Sequence, residues 1–256
     1  MCGHSIKVLV KFELNVHAFF NYLWVLNGKE IKSMALRPTE GNMFGQFTSD
    51  YFINKLMIVP GILLGFVLHE FAHAVMADRL GDPTPRLQGR ITLDPRAHID
   101  LLGFILILLV GFGWAKPVMT DRRHYKNPRR DDILVSLAGP FMNLLLAVAF
   151  LFIIKVIAIT GFLQNNQVVL GNVVDLLDSS ASINVLLFVL NLLPIPYFDG
   201  YHIITNVFNT WKYRFFTILE QYSMFIFIIL AVSGAFSVII YRPSAIIYSF
   251  IVRLMF

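Results

Sequence analysis

The sequence predicts an all-α polytopic membrane protein, and three observations carry that reading. Of 256 residues, 57% are hydrophobic and only 14% are charged, where a soluble domain of this size carries about a quarter. Several apolar runs approach or exceed the roughly 20 residues that a helix needs to cross a bilayer's hydrocarbon core. The remaining charge is concentrated in connectors between those runs. The net charge of +5 therefore reads as basic cytoplasmic loops beside a lipid bilayer, and no nucleic-acid partner is expected. A single cysteine, Cys2, excludes an internal disulfide, thiol redox chemistry and thiolate metal clusters.

Residues 1–50 form an N-terminal segment of unreadable structure. Residues 16–26 are apolar but too short for an upright span, and residues 27–45 are polar and turn-rich. Lys7, Lys11 and Glu13 interrupt the first apolar stretch, unlike the core of a cleavable signal peptide. No function is assigned there. Residues 51–256 read as one membrane-embedded domain without an internal repeat.

Within that domain, residues 52–80 predict one long helix closed by Gly81-Asp82-Pro83. Residues 84–100 make a polar connector carrying Arg86, Arg90 and Arg96. Residues 101–114 are apolar again but reach only about 20 Å as a helix, so a re-entrant or partly buried segment is expected. The connector 116–132 is the most charged part of the chain, and a clear span follows over 133–159. Residues 161–182 hold no lysine or arginine, only Asp175 and Asp178, and are expected to form an external loop. The arginine-rich connectors are then cytoplasmic. Residues 183–193 are expected to re-enter the membrane and run into Pro194-Ile195-Pro196. Residues 215–240 predict another span, unusual for Glu220 and Gln221 near its start, and Pro243 opens a last apolar segment. Residues 87–93 could supply a short strand near the cytoplasmic side, offering an edge to an extended peptide.

The chemistry begins with His69-Glu70-Phe71-Ala72-His73 inside the first long helix. Residues four apart share a helix face, so both imidazoles can reach one metal ion, and Glu70 beside them can take a proton from a metal-bound water. These ionisable groups would each cost several kcal/mol, roughly, if they faced lipid. They must instead face a polar or metal-filled interior. The bland alternative is a helix end at the interface, but His73 lies about 10 Å from the end at Leu80, too deep for a short imidazole. A catalytic zinc needs a third protein ligand and one open position. Asp199, His98 and His202 could each complete the set. Asp199 is favoured, because it follows an apolar segment broken by two prolines, and such breaks are tolerated only where protein or a cavity satisfies the backbone.

His69-Glu70-x-x-His73 together with Asn191-x-x-Pro194-x-x-x-x-Asp199-Gly200 resembles the site-2 protease family of intramembrane zinc metallopeptidases. The likeness extends through Gly81-Asp82-Pro83-Thr84, residues 88–95, His98-Ile99-Asp100, residues 113–118, Asn127-Pro128-Arg129-Arg130-Asp131 and Leu137-Ala138-Gly139-Pro140-x-x-Asn143. It covers roughly residues 56–204 and is similar to a compact branch without PDZ or CBS insertions. The resemblance implies a site-2-protease-like helical core, Zn2+ held by His69, His73 and Asp199, and Glu70 as general base. It also implies that Asn191 helps hold the substrate or the developing oxyanion. It says little of Asn143, for which packing around Gly139-Pro140 is an equal account. Tyr201 departs from the small residue usual after Asp-Gly and would narrow the site. The substrates implied are transmembrane proteins, cut in or near their spans. The setting implied is a prokaryotic plasma membrane, with the site nearer the cytoplasmic face.

Two rival readings stand beside this one. An ion or proton-coupled transporter also uses intramembrane His, Glu and Asp, but usually shows matching broken helices in two halves, and this sequence has one such break. A non-catalytic relative that only binds membrane partners is disfavoured by the retention of Glu70 with all three candidate ligands.

Overall fold

Small residues at fixed spacings decide how the long helices of this chain meet. The computed structural model describes residues 49–110, 115–163, 165–210, 213–223, 225–226, 229 and 237–256. The N-terminal segment assigned to residues 1–50 lies almost wholly outside them. Helix α1 (Ser49–Arg79) carries Pro60 in its interior and ends as the sequence predicts. Gly81 adopts φ +108°, in the left-handed region that a glycine enters without strain, and the Leu80 N–H returns to the Met76 carbonyl.

A compact connector follows. Pro83 and Pro85 start the single turn α2 (Thr84–Leu87), and Asp94 caps α3 (Pro95–His98) by accepting from the Arg96 N–H. Helix α4 (Leu101–Val110) is described over ten residues; residues 111–114, the rest of the segment expected to be re-entrant or partly buried, lie outside the described set. The expected strand over 87–93 is not formed. Leu87 closes α2 and Gly89 turns the chain at φ +67°, which breaks any extended run. Among the described residues the β pairing is one isolated antiparallel bridge between Ile99 and Ala115.

Helix α5 (Pro128–Thr160) opens on a proline at its first turn and closes on left-handed Gly161. The external loop expected over 161–182 is much shorter than that. Asn166 caps α6 (Gln167–Asn191), its side chain accepting from the Val169 N–H, and the helix runs unbroken for 25 residues. The re-entry expected over 183–193 is therefore not separate: residues 183–191 are the second part of one helix. The polar stretch that reads as loop is instead a packing stripe. A Cβ on Gly61 of α1 would lie 2.6 Å from the Ser180 Cα, and one on Gly65 2.8 Å from the Asn184 Oδ1. Gly61 and Gly65 thus form a small-xxx-small face that lets α1 and α6 touch. The Asn184 Nδ2 donates to the Gly61 carbonyl at 3.0 Å and to the Ser180 carbonyl.

After a proline turn come α7 (Asp199–Val207) and α8 (Arg214–Gln221). Most of the span expected over 215–240 beyond α8 lies outside the described residues. A π-helical turn, Ser237–Tyr241, leads into α9 (Arg242–Met255). Two ionisable residues within the apolar helices have hydrogen-bond partners on neighbouring helices. The Tyr248 hydroxyl of α9 donates to Asp178 of α6, and the Lys155 ammonium of α5 donates to the Met255 carbonyl. An apolar cluster of Ile62, Ile183, Leu186, Leu190 and Phe198 binds α1 and α6 to the turn before α7.

Among the described residues, three helical stretches are long and apolar enough to cross a membrane: Met57–Arg79, Pro128–Thr160 and Gln167–Asn191. The chain is an all-α polytopic membrane protein. Asp175 and Asp178 belong to α6, so they drop out of the loop asymmetry, but that rule counts lysine and arginine rather than net charge. The α5–α6 loop still has neither. At about 1.5 Å per residue α5 is roughly 50 Å long, enough to cross the hydrocarbon core, and the expectation from the sequence is that Arg123 and Gln167 lie on opposite sides of a bilayer. Cysteines introduced singly at these positions, in a Cys2-free background, should differ toward impermeant reagent: position 167 reacts in intact cells, and position 123 only after the membrane is permeabilised. Labelling of both from one face would overturn this orientation.

Candidate metal centre

Three lone-pair donors from two helices converge inside the helical core. Helical spacing stacks His69 and His73 on one face of α1, and both rings are buried. Asp199 arrives from elsewhere in the chain. Pro194 and Pro196 stop α6, buried Phe198 anchors the turn, and Asp199 opens α7, where a carboxylate suits the positive end of the helix. Gly200 permits the close approach, since a Cβ there would lie 2.2 Å from the Leu192 carbonyl oxygen. The Asp199 Oδ2 stands 3.2 Å from the His69 Nε2 and 3.4 Å from the His73 Nε2. The two Nε2 atoms are 2.9 Å apart.

The partners of the opposite ring nitrogens make this arrangement informative. The His73 Nδ1 is 2.7 Å from the Val135 carbonyl, which can only accept, so Nδ1 carries the hydrogen. The His69 Nδ1 meets the Asn143 Oδ1 at 3.0 Å and donates likewise. In the neutral rings both Nε2 atoms are then bare lone pairs, aimed at each other and at a carboxylate oxygen. The Asp199 Oδ2 is buried without a hydrogen-bond donor. Such a cluster repels itself unless a cation sits within it. For zinc bonded at about 2.0–2.1 Å in a tetrahedron, neighbouring ligand atoms lie about 3.3 Å apart. The observed 2.9–3.4 Å fits that set of donors.

Helix α5 forms the floor of the centre. A Cβ on Gly139 would lie 2.4 Å from the His73 Nε2 and 2.6 Å from the His69 Nε2, inside the space where the donors meet. The following Pro140 lacks the N–H that would bond the Ser136 carbonyl, which opens the helix ladder beside Val135. Glu70 is held from outside the helices. Its Oε2 accepts the backbone N–H of Val118 at 2.8 Å. Arg90 is buried in the connector and donates to the carbonyls of Ala97 and Lys116. Burial pulls its guanidinium below the ordinary value while the charge of Glu70 works against that, so Arg90 stands within electrostatic reach of Glu70. Farther out, Arg123 hydrogen-bonds Asp121 and holds that carboxyl well below the usual carboxylate range, fixing the turn after Val118.

The structure thus brings together His69, His73 and Asp199 as one group able to hold a metal, with Glu70 adjoining. His98 does not join them. It is fully buried in the connector, its Nε2 against the Thr92 carbonyl at 2.8 Å. His202 is likewise outside the group, one turn along α7. Asn191 is the last residue of α6 and its Nδ2 donates to the Leu187 carbonyl at 3.0 Å. Tyr201 is buried, and its hydroxyl donates to the Glu220 carboxylate at 3.0 Å, which accounts for the acid in an apolar stretch. Sequence reasoning missed the orienting parts: the Asn143 side chain, the Val135 carbonyl, the Val118 N–H, Arg90 and the bare floor at Gly139. All but the Val135 carbonyl lie in stretches that carry the resemblance, Arg90 in 88–95, Val118 in 113–118 and Gly139 with Asn143 in Gly139-Pro140-x-x-Asn143, but those stretches gave no orienting role.

The profile of peptidase family M50 matches residues 57–168 and 154–234. The candidate zinc metalloprotease YwhC of Bacillus subtilis is 39% identical over 180 residues, covering 69% of this chain and 80% of that protein. The candidate zinc metalloprotease Rip2 of Mycolicibacterium smegmatis is 31% identical over 197 residues, 70% of this chain and 68% of its own. Rip2 of Mycobacterium tuberculosis is 36% identical over 151 residues, 57% and 55% of the two chains. No solved structure matches the chain.

Filling the floor of the centre should remove the metal. Gly139→Ala is expected to cut metal content, measured by plasma emission spectrometry on purified protein, several-fold below wild type. Gly171→Ala, whose Cβ meets nothing within 4 Å, should leave it unchanged. Full metal in Gly139→Ala would show that the donors do not converge on an ion.

Proposed function

Because the chain belongs to peptidase family M50, the site-2 protease family, we propose that it is an intramembrane zinc metalloprotease. On this reading it hydrolyses peptide bonds in or near transmembrane segments of other membrane proteins. The observation that carries the proposal is the meeting of three bare donor atoms and one carboxylate between membrane-spanning helices.

His69, His73 and Asp199 would hold the ion, leaving one position open. Zinc, when bound, lowers the pKa of a coordinated water toward neutrality and polarises a carbonyl. The protein's own residues do the rest. Asn143 and Val135 fix the tautomers of the two imidazoles, so that each presents its Nε2 inward. The Val118 N–H holds one oxygen of Glu70, and the other is left to take a proton from the attacking water. Glu70 then passes that proton to the leaving amide nitrogen. Asn191 is the residue proposed to donate to the developing oxyanion, exchanging its bond to Leu187 for the substrate. A substrate helix buries its amides within itself and must unwind locally before its carbonyl can reach the site.

We place the protein in a prokaryotic plasma membrane, with the centre nearer the cytoplasmic face. His73 lies about 10 Å from the end of α1 that leads into the arginine-bearing connector.

The test separates chemistry from metal binding. Glu70→Gln should retain one zinc per molecule and lose cleavage of a reconstituted single-span substrate by several orders of magnitude, roughly. Substantial residual cleavage would remove Glu70 from its role. Ion flux through liposomes containing wild-type protein, without any cleavage, would favour a transporter.

A further inference from the structure

Asp199 is delivered by a nine-residue helix whose far end carries a second buried polar cluster that the chemistry does not use. Asn206 lies seven residues beyond Asp199, nearly two turns, and therefore on the same face of α7 about 10 Å along. On α5 the same interval separates Asp132 from Gly139. The two helices run antiparallel and are pinned at both ends of that interval. At one end the imidazoles over Gly139 meet Asp199. At the other, the Asn206 Nδ2 donates to the Asp132 Oδ2. Arg122 closes this second cluster, donating to the Asn206 Oδ1 and pairing with the Asp132 Oδ2 at 2.9 Å. Asn206 and Asp132 are buried, and the Asn206 amide also donates to the His202 carbonyl at 2.7 Å.

Arg122 comes from the connector that carries Val118, only four residues earlier. One cluster therefore ties three things together: α5, which forms the floor; α7, which brings the third donor; and the segment whose N–H holds Glu70. We propose that Asn206, with Asp132 and Arg122, is a positioning residue that sets the register of α7 on α5, and so places the Asp199 carboxylate for the metal. This rests on Asp199 being a metal ligand. Neither polar end of α7 can shift alone. A slip of one residue at Asn206 moves Asp199 by about 1.5 Å along the helix, enough to take its oxygen out of bonding range.

Asn206→Leu keeps the branched shape of the side chain and removes both halves of the cluster's exchange. Zinc affinity of the full-length protein in detergent, measured by competition with a chromophoric chelator, should fall about 10- to 100-fold, the size seen when a group that orients a ligand is lost. The exchanged pair D132N/N206D returns a carboxylate, an amide and a guanidinium to the same three places, and should recover affinity to within a few-fold. Tyr248→Phe, which removes a buried bond between α6 and α9, should not change affinity, so that loosened packing alone is excluded. Arg122→Gln, at the partly exposed edge of the cluster, carries the same expectation should Asn206→Leu not fold. Wild-type affinity in Asn206→Leu or Arg122→Gln, while Asp199→Ala loses zinc, would overturn the positioning role alone. Wild-type affinity in Asp199→Ala would overturn the ligand assignment on which it rests.

Discussion

Bare imidazole nitrogens and a carboxylate oxygen about 3 Å apart, shielded from water, repel one another, and the rest of this fold is arranged around that repulsion. Burying an isolated ionised carboxylate in an apolar medium carries a Born cost on the order of tens of kcal/mol. The groups cannot escape by turning outward, because lipid is worse than protein. A cation relieves the repulsion and the burial together. The orienting bonds from Val135 and Asn143 only make sense in that light. By fixing the hydrogens on the outer nitrogens, they commit both inner nitrogens to being lone pairs.

Delivering donors from two separate helices to one point demands closer backbone approach than large apolar side chains allow. Glycines meet that demand where a Cβ would collide. Gly61 and Gly65 bring α1 against α6, Gly139 clears the space under the imidazoles, and Gly200 seats α7 on the carbonyls of the proline turn. In lipid there is no water to expel between helices, so such close contact and buried hydrogen bonds supply the association. Asn184, bonded to the Gly61 carbonyl, and Tyr248, bonded to Asp178, serve in this way. The polar residues in the spans thus fall into two sets, one that cements helices and one that converges on the centre.

Much of this was legible in the sequence, for physical reasons. His69 and His73 share a face because helical geometry is regular over one turn, and a proline-broken apolar run before Asp199 can only be a helix end inside protein. The errors have a common source. The serines at 179, 180 and 182 read as the end of a loop because serine competes for backbone hydrogen bonds and favours caps and turns, yet in α6 Ser180 and Asn184 are buried against glycines of α1, a partnership invisible along one strand of text. Residues 87–93 contain β-branched side chains, but Gly89 and the flanking prolines set the backbone locally. The orienting partners of the histidines come from residues 62 and 74 positions away, and two of the missed contacts use only backbone atoms. No side-chain pattern reports a backbone carbonyl that accepts from a distant imidazole, or a connector N–H presented to a carboxylate.

The central claim is that two imidazoles and one carboxylate enclose a zinc ion. X-ray absorption at the zinc edge, on full-length protein purified without added metal, addresses it most directly. The account predicts one zinc per molecule with two imidazole nitrogens and oxygen ligands at about 2.0–2.2 Å. Protein that retains no zinc, or zinc ringed by three imidazoles, would contradict it.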